Sequence, residues 1–179
     1  TRFWGVNTGM VSYVLNHAWV YGTQTAVNDG DQLGLFVYAN TIEYSDLYTW
    51  FDETTYKTDV NAENSFTVNG LSVMNSGPDS PVTAAPANAT VTVYDENGNV
   101  AEALGTKTDE HGQFKVTFPK DGKYTIEVSG TCTYTCSGYG GSGMNTYKDA
   151  TVVPTRCTVL VGTARGTLGD INGDGKVSY

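Results

Sequence analysis

The chain has 179 residues, with 10 Lys plus Arg against 19 Asp plus Glu, so its formal net charge is −9 and its pI is about 4.4. Nucleic-acid binding depends on Lys and Arg contacts to phosphates, so an acidic chain without a basic cluster is not expected to bind nucleic acid. No apolar run approaches the roughly 20 residues that span a bilayer, and no signal-peptide pattern opens the chain, so we expect a soluble fragment of a mature protein with no membrane span. The abundance of Tyr, Thr, Val and Gly predicts a mainly β fold.

Residues 1–74 read as a first, aromatic-rich β lobe. The predicted strands are 4–6, 13–15, 19–21, 33–39 and 66–73. The strand at 33–39 carries apolar residues on both faces, which predicts a central place in its sheet. Tyr44 and Tyr48, like Leu47 and Phe51, are spaced i, i+4, which predicts at most one short helical turn near 44–52.

Residues 75–89 hold three of the five prolines and no aromatic residue, which predicts a linker or crossover. Beyond them, residues 90–162 form a second lobe. Its strands at 90–94, 114–118 and 124–129 alternate in period two, and glycine-containing turns are predicted at 96–99, 110–112 and 120–123. This pattern is typical of an antiparallel β-sandwich. Closing strands are expected at 152–153 and 157–161, after a Gly-rich loop.

Three cysteines fall in this second lobe, without the paired spacing of a structural zinc site. We expect one disulfide, from Cys157 to either Cys132 or Cys136, and one free cysteine. Cys132 is preferred, because the stretch after residue 130 continues the preceding strand and the stretch at 156–161 is its natural partner. The alternative is three reduced cysteines buried in the core.

The stretch "VTVYDENGNVAEALGTKTDEHGQFKVTFPKDGKYTIEVSG" resembles the transthyretin-like or immunoglobulin-like modules repeated along bacterial surface proteins. That resemblance implies a scaffold architecture more than an activity. In the first lobe, "FWGVN" followed by "AVNDGDQLGLFVY" looks like part of the small β-rich domains of secreted Firmicutes proteins.

The most specific motif is the C-terminal "GDINGDGKVSY", within residues 163–179, which we interpret as a linker and a truncated calcium loop. A calcium loop needs oxygen ligands at positions 1, 3 and 5, glycine at 6, a carbonyl at 7 and a further ligand at 9. The residues at the ligand positions are Asp170, Asn172, Asp174, Lys176 and Ser178. The sequence stops before the acidic ligand of position 12, so calcium binding should be weak or absent, and a chance Asn-Gly, Asp-Gly turn is the alternative.

With its preceding residues, "GTLGDINGDGKVSY" resembles the opening of a type I dockerin, the calcium-dependent module that docks proteins onto cohesins in cellulosome-like assemblies. The resemblance implies a secreted, extracellular protein in a cell-surface complex. It also implies that cohesin is bound through the complete dockerin and not through this segment, because the second repeat is missing.

Aromatic residues concentrate at 36–56, which holds seven of the 21 in the chain. Sugar rings pack on Trp and Tyr, so Tyr44, Tyr48 and Trp50, which lie in a polar run, are predicted to contact a polysaccharide. A second candidate surface combines Trp4 and Trp19 with Tyr13, Tyr21 and His17. The neighbouring polar residues suited to binding sugar hydroxyls are Asn40, Asp46, Thr49, Asp52 and Glu53.

No Ser-His-Asp order, HExxH motif or phosphate-binding loop is present, so we do not expect an enzyme. The clustered Tyr-x3-Tyr-x-Trp suits a curved chain better than a flat one, which favours an α-glucan such as starch over cellulose. An acidic, aromatic-rich protein with a dockerin-like tail also resembles the starch-adherence proteins of gut Ruminococcus-type bacteria. The alternative is a structural spacer or adhesion module with no glycan affinity.

Overall fold

The computed structural model describes residues 10–20, 25–77 and 79–165, and this part of the chain is mainly β, with only short 3-10 turns beside the strands. The strands are β1 Val11–Leu15, β2 Ala18–Trp19, β3 Leu33–Val37, β4 Leu47–Phe51, β5 Thr55–Thr58, β6 Glu63–Leu71, β7 Thr90–Tyr94, β8 Thr106–Lys107, β9 Gln113–Thr117, β10 Gly122–Ser129, β11 Thr131–Ser137, β12 Met144–Val153 and β13 Thr155–Val161. In these residues no helix has the length and apolar character that a membrane crossing requires.

Two five-stranded sheets form a β-sandwich. Their strand orders are β5-β13-β10-β7-β8 and β11-β12-β4-β6-β9. Most neighbouring strands are antiparallel, whereas β4 with β12 and β5 with β13 are parallel pairs. Side chains from both sheets, among them Phe66, Val93 and Ile126, meet in one buried core. This arrangement follows from period-two alternation, which places every second side chain of a strand on the inner face.

A third, smaller sheet, which we call the small sheet, has the strand order β2-β1-β3. Its β1–β2 hairpin turns through Asn16 and His17, which both have positive φ, at 50° and 61°. Its inner face packs on a second core cluster that also contains Leu71 and Val73. Close packing requires glycine at position 34, because a Cβ there would lie 2.5 Å from a Val14 methyl carbon and 2.9 Å from the Tyr48 ring.

The predicted central position of residues 33–39 is wrong. Among the described strands β3 pairs only with β1, and its Leu33 and Leu35 side chains are 58% and 57% exposed. The apolar residues on both faces of β3 therefore do not mean that both faces of this strand are buried. The outer face of the small sheet is apolar and uncovered by the described residues.

No helical turn forms near 44–52, where at most one was predicted, because β4 occupies 47–51 and turns precede it at 41–43. Two sets of hydrogen bonds stabilise the strand conformation. The buried Asp46 carboxylate accepts hydrogen bonds from the backbone N–H groups of Ala39 and Asn40. The backbone of β4 also pairs with β6, and a helix at this position could not form these interstrand hydrogen bonds.

The division into lobes at residues 74 and 90 does not match the strand pairing. Strands β4, β5 and β6 belong to the first predicted lobe, yet they are hydrogen-bonded into the two sheets of the sandwich. The segment 75–89 crosses the sandwich in contact with it, since Leu71 bridges to Thr83 and Ala87 bridges to Thr133. Of the predicted terminal segment 163–179, the residues from 166 onward lie outside the described part.

The predicted disulfide between Cys132 and Cys157 is absent, and all three cysteines are buried free thiols. After Gly130, which has a φ of 82°, the chain passes into the other sheet instead of continuing β10. Cys132 therefore pairs with Ala150 on β12, whereas Cys157 pairs with Ile126 on β10. Burial raises the pKa of the Cys132 and Cys157 thiols to about 12, so they behave as small apolar core residues.

Candidate functional site

The structure brings four of the predicted sugar-binding residues into one region, the junction between the small sheet and the sandwich. Trp19, Tyr44, Tyr48 and Trp50 are all half-buried and pack on the second core cluster. Trp4 lies outside the described residues. The same holds for all the predicted calcium ligands, which are Asp170, Asn172, Asp174, Lys176 and Ser178.

Tyr48 and Trp50 point away from the sandwich core toward the small sheet, because they alternate on β4 with inward-facing neighbours. The Trp50 ring stacks on His17, with ring centroids 4.5 Å apart and planes within 5°. The Tyr48 ring stacks on Phe36 at 5.9 Å, and burial raises the pKa of its hydroxyl. One face of each ring therefore packs against the small sheet. The ring surface that remains for a ligand is smaller than the sequence predicts.

Most of the polar residues expected to bind hydroxyls are occupied within the protein. The Asp46 carboxylate binds backbone N–H groups, and the Thr49 hydroxyl donates to the Val153 carbonyl oxygen at 2.7 Å. The Asn40 side chain holds the following turn by accepting from the N–H groups of residues 42 and 43. Asp52 remains exposed, and its carboxylate accepts from the Asn69 amide at 2.7 Å. These contacts explain the local fold and do not form a site.

A cavity of about 360 Å³ opens beside this region, and we call it the aromatic pocket. It exists because β2 is short: β2 pairs only with the last two residues of β1, so the edge of β1 near Val11 has no strand beside it among the described residues. The pocket is lined by Met10, Val11, Ser12, Tyr13, Trp19, Val20, Tyr38, Val73, Met74, Ser76 and Tyr139. Its size falls in the range of small-molecule binding sites.

The interior of the aromatic pocket is rigid and poor in polar groups. Tyr38 is 2% exposed and its hydroxyl has no hydrogen-bond partner. Burial raises the pKa of Tyr38 to about 12, and the nearby Ser12 hydroxyl opposes this rise without forming a hydrogen bond of regular geometry. The Ser76 hydroxyl is fixed by donating to the Ser72 carbonyl at 2.8 Å and accepting from the Val82 N–H at 3.0 Å.

Side chains at the mouth are more open, since Met10 and Met74 are 41% and 47% exposed and Tyr139 is 66% exposed. None of the pocket-lining residues is a carboxylate, His or Cys. The arrangement suits binding through ring faces and apolar contact. Elsewhere in residues 10–20, 25–77 and 79–165, no group of three or more His, Cys, Asp or Glu is placed to hold a metal ion.

Sequence reasoning found part of this pocket. Of the predicted second surface, Tyr13 and Trp19 both line the pocket, because their hairpin brings them together locally. His17 does not line it, and Trp4 and Tyr21 lie outside the described residues. Tyr38 is buried, and it also lines the cavity. The sequence does not predict that Tyr139 and Met74 line the pocket, because both belong to loops that are distant in the chain from Tyr13 and Trp19. The one local indication of a binding role is the tyrosine within the Gly-rich loop.

No protein-family model matches the chain, and no curated protein matches it significantly. The function is therefore inferred from the geometry of the pocket and from the sequence motifs.

Proposed function

We propose that the protein is a non-catalytic polysaccharide-binding domain that takes a sugar residue in the aromatic pocket. One observation carries the proposal: the rings of Trp19, Tyr13 and Tyr139 surround a cavity large enough for a small ligand. Sugars offer flat C–H faces that pack on such rings, and their hydroxyl groups can remain in water at an open mouth.

An α-glucan such as starch is the proposed ligand. A net charge of −9 disfavours polyanionic glycans, so a neutral polysaccharide is expected. A pocket with walls on several sides also receives a twisted, flexible chain more readily than a flat crystalline surface. Both features support an α-glucan over cellulose.

Affinity electrophoresis in gels that contain amylopectin, xylan, mannan or a soluble cellulose derivative tests the proposal. Amylopectin should retard the protein most. Tyr139→Ala removes an exposed ring from the mouth and should weaken retardation by about fivefold to tenfold, which corresponds to about 1–1.4 kcal/mol. Tyr139→Phe should keep most of the affinity.

Met144→Ala is the matched control, since Met144 is 70% exposed and lies outside the pocket. Equal losses for Tyr139→Ala and Met144→Ala would contradict the assignment of the pocket. Release of reducing ends from any of these polysaccharides would contradict the non-catalytic part of the proposal.

The second candidate is a structural spacer or adhesion module with no glycan affinity. The exposed Leu33 and Leu35 side chains favour it, because an uncovered apolar sheet face is typical of a surface that meets other proteins. Absence of retardation in all four gels would select this alternative.

The dockerin-like tail places the domain, in this proposal, in a secreted protein of a cellulosome-like or amylosome-like assembly that meets cohesin through the complete dockerin. Asp170, Asn172 and Asp174 are suitable calcium ligands, but the present sequence lacks the acidic ligand of position 12. Calorimetry with this chain should therefore detect weak calcium binding or none. Tight binding of one calcium ion per chain would contradict the truncated-loop interpretation.

A further inference from the structure

A second cavity, of about 610 Å³, shares Tyr139 with the aromatic pocket, and we call it the polar hollow. Its lining includes Asn75, Asp79, Ser80 and Ser137. Met74 and Ser76, which line the aromatic pocket, alternate along the chain with Asn75 and Gly77, which line the hollow. The two cavities therefore meet at Tyr139 and at the segment 74–77, and we treat them as one groove.

The position of Tyr139 is well defined by its loop. The Gly138 N–H donates to the Gly143 carbonyl at 2.7 Å, and the Gly141 N–H donates to the Gly138 carbonyl at 3.0 Å. Gly140 has a φ of 64°, which closes the turn directly after the tyrosine. The 3-10 turn at Tyr139–Gly141 packs against the 3-10 turn at Val73–Asn75, which brings Tyr139 to the place where the two cavities meet.

The polar hollow differs from the aromatic pocket in chemistry. Asn75 is 7% exposed, and its amide donates to the Ser72 hydroxyl at 2.8 Å and the Tyr147 hydroxyl at 3.0 Å, so it is a fixed part of the hollow. The Asp79, Ser80 and Ser137 side chains are exposed. No Lys, Arg or His lines the hollow. Such a lining accepts and donates hydrogen bonds to neutral hydroxyl groups and repels anions.

We propose that the groove binds a segment of a neutral glycan chain, with one sugar residue in the aromatic pocket and the next in the polar hollow, across Tyr139. The inference rests on the proposed function and extends it from a single sugar residue to a chain of at least two. Once one residue is bound, the next is held beside the hollow at a high effective concentration, so both contacts add to the affinity.

Calorimetry and NMR titration of the full chain with glucose, maltose, maltotriose and maltotetraose measure the dependence on chain length. The association constant should rise at least tenfold between glucose and the longer oligosaccharides and then level off when both cavities are filled. Titration with cello-oligosaccharides of the same lengths shows whether the affinity depends on the linkage between sugar residues as well as on chain length.

A double variant, Asp79→Ala with Ser137→Ala, isolates the polar hollow. It should lower the affinity for maltotetraose to within about twofold of the value for glucose, while glucose binding in the aromatic pocket is unchanged. Glu96→Ala removes the same charge at a turn outside both cavities and should leave all affinities unchanged. Thermal unfolding checks that the variants fold, which is expected because the substituted side chains are exposed.

Two failures are distinguishable. If maltotetraose and glucose bind equally and the double variant has no effect, the two-cavity inference is overturned while the proposed function stands. If no oligosaccharide binds at any length, the proposed function fails, and the inference falls with it.

Discussion

The sandwich and the small sheet differ in how completely they bury their side chains. In the sandwich, Phe118, Ile126 and Val159 have no exposed surface. In the small sheet, Val14 and Phe36 are buried, but Leu33 and Leu35, on the same strand as Phe36, are more than half exposed. The larger core therefore supplies most of the stability, since stabilisation scales with the apolar area that is removed from water.

The small sheet nevertheless provides much of the aromatic pocket, including Tyr13 and Trp19. It is held to the sandwich mainly through half-buried rings such as Tyr48 and Trp50. Regions with few buried contacts open locally at a lower free energy than the whole domain. The region around the aromatic pocket is thus expected to be less stable than the sandwich, and four measurements test this difference in stability.

The largest effect is expected from the sandwich core. Phe118→Ala should lower the free energy of unfolding by about 3–5 kcal/mol, because it leaves a cavity in a fully buried site. Phe36→Ala, in the second core cluster, should cost about half as much, since the small sheet can relax around it. Urea denaturation of both variants gives the comparison, and equal losses would show that the two clusters contribute alike.

The next largest loss of stability is expected from alanine substitutions at two glycines in turns. Gly112 has a φ of 72°, and a Cβ there would lie 2.5 Å from the Val68 carbonyl oxygen within the sandwich. Gly30 lies in the turn before β3 of the small sheet with a φ of 88°, and nothing lies within 4 Å of its Cβ position. Gly112→Ala should destabilise by about 2–3 kcal/mol, and Gly30→Ala by about 1 kcal/mol from backbone strain alone. Thermal unfolding measures both, and a larger loss at Gly30 would contradict the packing at Gly112.

Substitution of a ring between the small sheet and the sandwich should cause a smaller loss of stability, confined to the small sheet. Trp50→Ala removes the stack on His17 and should cost about 2 kcal/mol. Amide hydrogen exchange should accelerate in β1 and β3 and stay unchanged in β10 and β13. Trp50→Phe, which keeps an aromatic face, should restore most of the protection. Uniform acceleration in all four strands would show that the small sheet and the sandwich unfold as one unit.

The smallest effect is a dependence on pH. Burial lowers the pKa of His17 below its usual value of 6.5, while the Asp52 carboxylate partly opposes this. The unfolded chain therefore binds a proton at His17 more readily than the folded protein. The corresponding stability is complete above pH 6.5 and is lost as the pH falls toward the lower, folded-state pKa.

Exchange of the β1 and β3 amides, corrected for the intrinsic pH dependence of exchange, should reveal this loss between pH 7.5 and pH 5.5. His17→Phe keeps a ring against Trp50 without a titrating group, so its protection should be independent of pH in this window. An unchanged pH profile in that variant would assign the effect to another group.

Strands and turns could be predicted where the information is local. In β10, Tyr124, Ile126 and Val128 alternate with more polar residues, and the structure buries these three. The predicted turn at 110–112 closes because the Asp109 carboxylate accepts the N–H groups of His111 and Gln113 at 2.8 Å. Spacing and turn chemistry act over a few residues, so they can be read without the partner strands.

The candidate site was predictable only in part for the same reason. Trp19 and Tyr13 share one hairpin, so their proximity follows from local sequence. Tyr139 reaches the aromatic pocket from a loop more than a hundred residues away, and no local pattern records that approach. Tyr48 and Trp50 were predicted to be exposed in a polar run, but the small sheet covers part of their rings.

The β class, the alternation that defines the faces of β7 and β10, and the aromatic content of the junction can all be read from the sequence. The strand pairing cannot, because it places β4 beside β12 and β5 beside β13, about a hundred residues apart in the chain. The tertiary structure also decided that Cys132 and Cys157 lie in different sheets and that β3 has one partner among the described strands. The physical reason is that side-chain periodicity records which face of a strand is buried, whereas the choice of partner strand depends on the packing free energy of the whole domain.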